Sequence, residues 1–98
     1  MKYRLIVRPE AEIDIREAFE WYENQEKGLG LDYFRCVDAA IASISRSPNL
    51  FPSIYKNIHR VLIRRFPYGI FYVVKDNQIL ILAVLHVKRH PNHWRRRN

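Results

Sequence analysis

The residues best suited to chemistry lie together in LHVKRHPNHWRRR, residues 85 to 97: three histidines, five lysines or arginines and one tryptophan. Three uses fit such a set. A metal could draw on His86, His90 and His93, whose spacings of four and three a helix would bring together. Pro91 interrupts them, however, no carboxylate or thiol stands nearby, and Lys88 and Arg89 repel a cation. The sequence therefore assigns no metal and no cofactor. Metal-free phosphodiester cleavage needs cations to stabilise charge on the phosphorane and groups that take and give a proton. Arg64 or Arg65, His86 and Arg89 fall near adjacent strand ends and could supply both. The third use is an electrostatic surface that holds an anionic macromolecule. There Arg64, Arg65, Arg89, Arg95, Arg96 and Arg97 carry the charge, and Trp94 packs back on the fold as an anchor. Residue types alone leave the second and third uses open.

Several other chemistries lack their motifs. The chain has no HExxH and no CxxC, and only three glycines, so no phosphate loop can be built. No nucleophile elbow supports a Ser/His/Asp hydrolase. The single cysteine, Cys36, falls within a helical pattern and reads as a small buried hydrophobe, which with the absence of paired cysteines implies a reducing cytoplasm. The longest apolar run is too short to cross a bilayer, and the N-terminal residues do not read as a secretory signal, so no membrane partner is expected.

What positions these residues is a single domain, 1–98. KYRLIVR alternates apolar and basic residues, giving a strand over 2–8. Pro9 suits the first position of a helix, and Glu10, Glu12 and Asp14 suit its first turn, where the macrodipole favours acids. This helix runs over about 9–25, with Ala11, Ile15, Ala18 and Tyr22 on one face. A second helix covers about 31–47, with Phe34, Val37, Ile41 and Ile44 at three-and-four spacing, until Pro48 stops it. Strands follow at about 59–66, 69–75 and 78–86, the last two joined by the tight turn Asp76–Asn77. A basic segment, 87–98, ends the chain.

The order β-α-α-β-β-β predicts an α+β fold: a helical hairpin packed on one face of a small, twisted, mainly antiparallel sheet of four strands. The last two strands are apolar on both alternating faces, so both faces must be covered. One helical hairpin covers only one. The C-terminal segment or a second protein must cover the other.

Charge is divided along the chain. Residues 1 to 38 carry nine acids and six bases, residues 39 to 98 one acid and eleven bases, giving −3 and +10 within a net +7. The second half suits an anionic partner.

The stretches RPEAEIDIREAFEWYE, RRFPYGIFYVV and ILAVLHVKRHPNHW, set in this element order, resemble the RelE/ParE superfamily of toxins from type II toxin–antitoxin systems, over nearly the full length. The resemblance implies a bacterial cytoplasmic toxin neutralised by a small, acidic, partly disordered antitoxin that folds on binding. It also implies a toxin dimer or a toxin–antitoxin hetero-oligomer as possible assemblies. RelE-like members cut mRNA on the ribosome with basic residues, whereas ParE-like members inhibit DNA gyrase without recognised catalytic residues. Here Gly69 stands where the nucleases resemble one another in carrying a strand arginine, and the aromatic residue after Arg89 is Trp94, whose indole neither gives nor takes a proton as a phenol does. Arg89 does match a basic nuclease position. The FPY–FY hairpin and the HPxxW ending are more similar to the ParE side. The expectation is therefore a non-enzymatic gyrase-binding toxin. The alternatives are a metal-independent mRNA endonuclease using Arg64, Arg65, His86 and Arg89, and a degenerate member that only binds its antitoxin.

Overall fold

Pro9 opens α1 (Pro9–Gln25), with Glu10 and Glu12 in its first turn. Ala11 and Ala18, seven residues apart, are its fully buried positions, and their small size lets the helix approach the sheet closely. The turn into α2 (Leu29–Arg46) is tighter than the sequence implies. Gly28 adopts φ 91°, a left-handed conformation that a side chain would strain. The Glu23 carboxylate, reaching from α1, accepts hydrogen bonds from the N–H groups of Gly28 at 3.0 Å and Gly30 at 3.0 Å. This caps α2 and explains why it begins two residues earlier than periodicity predicts. A Cβ on Gly30 would lie 2.7 Å from the Phe19 carbonyl, so the two helices cross too closely there for any larger residue.

A computed structural model describes residues 2–98. The strands are β1 (Arg4–Val7), β2 (Ser53–Tyr55), β3 (Ile58–Leu62), β4 (Tyr68–Lys75) and β5 (Gln78–His86), and a short helix α3 (Asn92–Arg95) follows. The sheet has five strands, not four, in the order β1-β5-β4-β3-β2. All neighbours are antiparallel except β1 and β5. β2 escapes sequence reading because it is three residues long and starts directly after Pro52. β3 stops at Leu62 instead of Phe66 because Arg65 takes φ 69° and the chain turns. That turn lets Ile63 and Phe66, three residues apart, enter the same core, which an unbroken strand would forbid.

α1 and α2 cover one face of the sheet. Tyr33, Val37 and Ile44 of α2 meet Val61, Ile70, Tyr72, Ile79, Ile81 and Val84 there. The other face carries Phe71, Val73, Leu82, Ala83 and Leu85, and the chain itself covers it. Trp94 of α3, 6% exposed, stacks on Phe71 with ring centroids 4.7 Å apart. Of the two covers that two-sided apolarity allows, the C-terminal segment is the one found. Between β4 and β5 the register shifts, pairing Phe71 with Ala83 but Tyr72 with Ile81. Leu82 is the extra residue of this bulge, so Leu82 and Ala83 both enter the second layer.

One carboxylate joins these parts. β5 continues past the end of β1, whose last partner is Ile81. Beyond that point Asp14 Oδ2 accepts from the Val84 N–H at 3.0 Å, and Arg97 Nη1 donates to the Leu82 carbonyl at 3.2 Å. The two side chains also pair with each other at 2.6 Å and are 8% and 22% exposed, Asp14 the more buried. Together they close a strand edge that would otherwise be open. Asp14→Ala should lower the unfolding free energy by about 3 kcal/mol, because it orphans both the Val84 N–H and a half-buried guanidinium. Arg97→Ala should cost a similar amount, because it leaves the more buried Asp14 carboxylate without its counter-ion. Urea unfolding of the two variants checks this, and losses below about 1 kcal/mol in both would mean the pair does not hold the strand edge.

Candidate functional site

The turn after β3 and the end of β5 meet at one end of the sheet, where the Val87 N–H donates to the Pro67 carbonyl at 2.8 Å. The four residues expected to converge there are divided between two sides. Arg64 lines a groove between α2 and β3. Arg65 lies 3.6 Å from Asp32 and over the Phe66 ring. His86 and Arg89 instead line a small cavity on the α1 side, with Asp14, Glu17, Trp21 and Tyr68.

Within that cavity Tyr68 sits edge-on to His86 with centroids 5.4 Å apart. Burial raises the Tyr68 phenol above its usual range, and the Arg89 charge pulls it partly back down. The His86 Nδ1 accepts from the Lys88 N–H at 3.1 Å, so this ring is oriented by its own tail. Behind Tyr68 lies an aromatic cluster of Tyr22, Tyr33 and Phe66. The Tyr33 hydroxyl is buried there without a hydrogen-bond partner among the described residues. Burial also pushes its phenol far up.

The tail residues are engaged unequally. Trp94 is an anchor inside the second layer, so it is not a free recognition group. Arg97 is held by Asp14. The Arg95 guanidinium lies 4.3 Å from the centroid of the Tyr55 ring. Arg96 and Arg89 are exposed, and Arg89 Nη1 lies 3.4 Å from His93 Nδ1. No three of the described His, Cys, Asp or Glu residues stand close enough to hold a metal ion. Among the described residues no helix is long and apolar enough to cross a membrane.

Three basic positions were not visible as a site in the sequence. On the second sheet face the Arg60 stem lies across Gly69, whose absent Cβ would sit 3.2 Å from Arg60 Cδ. The signal was present: a glycine inside a strand marks a close approach by another group. Arg35 and Arg46 line the α2–β3 groove with Arg64. They are eleven residues apart, about three helical turns, and so share a face of α2. Half-buried Cys36 lines the same groove instead of being fully buried. A third concavity, between β1 and the helical hairpin, is apolar through Leu5, Val7, Ile15, Phe19 and Ile41, with Glu12, Arg16 and Asp38 as its charges.

Comparison with known proteins bears on this arrangement. The sequence model described as "ParE toxin of type II toxin-antitoxin system, parDE" matches residues 5–91. Two curated relatives called Toxin ParE2, from Mycobacterium tuberculosis strains CDC 1551 / Oshkosh and ATCC 25618 / H37Rv, are each 34% identical over 93 residues. Those alignments cover 94% of this chain and 89% of the relative. A solved structure described as the chromosomal ParDE TA system from P. aeruginosa shares the fold, with a TM-score of 0.78 at 17% identity. That match covers 87% of this chain and 96% of the other.

Two tyrosines give measurable consequences. The Tyr72 hydroxyl donates to the Pro48 carbonyl at 2.6 Å, and burial pushes its phenol up to about 12 from 10. A raised phenol holds its proton more tightly when folded, so its contribution is complete below pH 10 and is lost as pH rises toward 12. Unfolding free energy should therefore stay level from neutrality to about pH 9 and fall above about 10, with a shallower fall in Tyr72→Phe. Tyr33→Phe should be neutral or stabilising by up to about 1 kcal/mol, since it removes an unpaired hydroxyl. A loss of stability on thermal melting would mean that the hydroxyl has a partner.

Proposed function

The chain belongs to the ParE toxin family of type II toxin–antitoxin systems, and from that membership we propose that it arrests growth by binding DNA gyrase and is neutralised by a cognate acidic antitoxin. One observation carries the non-enzymatic reading. The basic residues that a phosphodiester-cleaving centre would need are split, with Arg64 and Arg65 on the α2 side and His86 and Arg89 on the α1 side. Cleavage requires cations and a proton-transfer pair around one phosphate. Cations spread around a sheet end suit recognition of a large surface instead.

The α1-side cavity offers the contacts such recognition uses. Trp21 is 57% exposed and stands beside Arg89 and His86. Tryptophan and arginine are the side chains most often found to dominate binding energy at interfaces. The antitoxin reading rests on the net charge of +7 and on a chain whose second half carries eleven bases and one acid. An acidic partner would offset that field on docking and assemble with this chain as a hetero-oligomer in the bacterial cytoplasm.

A second reading has one observation in its favour. Tyr68, His86 and Arg89 do share a cavity, and together they could serve a metal-independent mRNA endonuclease.

Purified protein should inhibit gyrase supercoiling or trap cleaved DNA, and Trp21→Ala with Arg89→Ala should weaken that inhibition by roughly tenfold or more. Both positions are exposed, so thermal stability should change little. Unaffected gyrase together with cutting of ribosome-bound mRNA would replace this function with the endonuclease. Expression with no loss of growth would leave only a chain that binds its antitoxin.

A further inference from the structure

Charge separates three concave surfaces formed by the described residues. The β1–hairpin groove carries Glu12 and Asp38 against Arg16 alone. The α1-side cavity carries Asp14 and Glu17 against Arg89 and His86. Both would repel an acidic segment in part. The α2–β3 groove differs, because its charged lining is Arg35, Arg46 and Arg64, with no carboxylate. Its floor is formed by Ala39, Ala40, Phe51, Val61 and Ile63.

The groove also runs beside an unfinished strand edge. β2 pairs β3 only at Ile58 and His59, and the Arg60 N–H reaches the Pro52 carbonyl at 3.4 Å. Beyond Arg60, β3 pairs with β4 on one side, and no described strand lies along its other edge. Leu62, 57% exposed, lies on this stretch and lines the groove. The alanines along α2 leave room for a chain to lie against the helix. An apolar floor with cationic rims does not match a sugar–phosphate backbone, whose whole length is anionic and hydrated. It matches a polypeptide with aliphatic side chains on one face and carboxylates on its flanks.

We propose that the groove between α2 and β3 seats an acidic amphipathic segment of the antitoxin, with its carboxylates on Arg35, Arg46 and Arg64. This rests on the reading that an acidic antitoxin neutralises the chain, and it adds where that partner docks. It moves the partner away from the tail, where Trp94 and Arg97 are already engaged within the molecule.

The groove holds its own reporter. Cys36 is the only cysteine in the chain and lines this surface, so alkylation reads occupancy without any mutation. Where a reading frame adjoining that of this chain encodes an acidic protein, that protein is the probe, purified separately and titrated onto the whole chain. Its binding should slow maleimide labelling of Cys36 at least about tenfold. The triple variant R35E/R46E/R64E should bind it roughly a hundredfold more weakly, with an unchanged circular dichroism spectrum, since each rim charge becomes repulsive. R95E/R96E, a reversal on the tail, should change affinity less than about threefold. If the triple variant does not fold, Ala39→Trp fills the groove sterically from an exposed helix position and should weaken binding in the same way. Wild-type affinity in the variants, or unchanged Cys36 labelling in the complex, overturns the groove assignment and leaves the antitoxin reading standing. Protection of Cys36 by a polynucleotide but not by the acidic protein also overturns it. If the acidic protein does not bind the wild-type chain at all, the antitoxin reading fails and this assignment fails with it.

Discussion

The Asp14 carboxylate is the constraint on which the most distant parts of the molecule depend. It belongs to the first helix, yet it accepts from the backbone of the last strand and from the guanidinium of Arg97, 83 residues away in sequence. A carboxylate this poorly exposed requires strong partners, and it has them. The bonds position α1 against β5 and bring the tail across the open end of the sheet. Trp94 then lies over Phe71, and the second apolar layer is closed. Without the pair, β5 would present a free edge beside an uncovered aliphatic face, the combination most prone to unwanted strand pairing. The acidic first half and the basic second half of the chain are thus joined by a structural contact as well as by net attraction.

Closing that layer changes where recognition can take place. Two-sided apolarity in the final strands left room for a partner protein as the missing cover, and the chain supplies the cover itself. Among the described residues, two grooves and a cavity at the margins of the helical hairpin stay open and differ in charge. The separation follows from the helices. α1 carries most of the acids, so concavities beside it are mixed, while the later face of α2 carries Arg35 and Arg46 and turns toward the basic strand β3. Electrostatic selectivity arises from which helix borders which groove, although net charge alone suggests a uniformly cationic surface.

Much of the fold was legible because it is local. Pro9, the spaced aliphatic residues of α1 and α2, Pro48 and the Asp76–Asn77 turn each act within a few residues. The misses have physical causes of other kinds. β2 is too short for alternation to register. Ile63 and Phe66 share a core only because the left-handed Arg65 breaks the strand between them. The Leu82 bulge offsets the alternation of β5 by one residue, so residues on either side of it cannot be assigned to faces by counting. The candidate site was less legible than the fold. Arg64, Arg65, His86 and Arg89 are neighbours at a sheet end in topology, but where their side chains point depends on that same turn and on the packing of the tail. Arg97, read as free charge for a partner, is bound to Asp14 through a contact no sequence window can contain.

The proposed antitoxin groove and the proposed target contacts lie on different sides of the helical hairpin. A partner occupying the α2–β3 groove would not touch Trp21 or Arg89, which stand on the α1 side. Neutralisation from there would have to act through bulk or through charge. At physiological salt, fields from exposed groups persist over about 8 Å, so carboxylates seated along the groove would act on cations within that reach. Bulk would add to this if the partner continued around the molecule past the β3–β4 turn, where Arg65 lies 3.6 Å from Asp32. Under that proposal the fold itself need not bury Trp21 or Arg89, both of which are exposed. Asp14, Trp94 and Arg97 seal the fold with its own residues, so under the proposed function its cationic surfaces are left for partners.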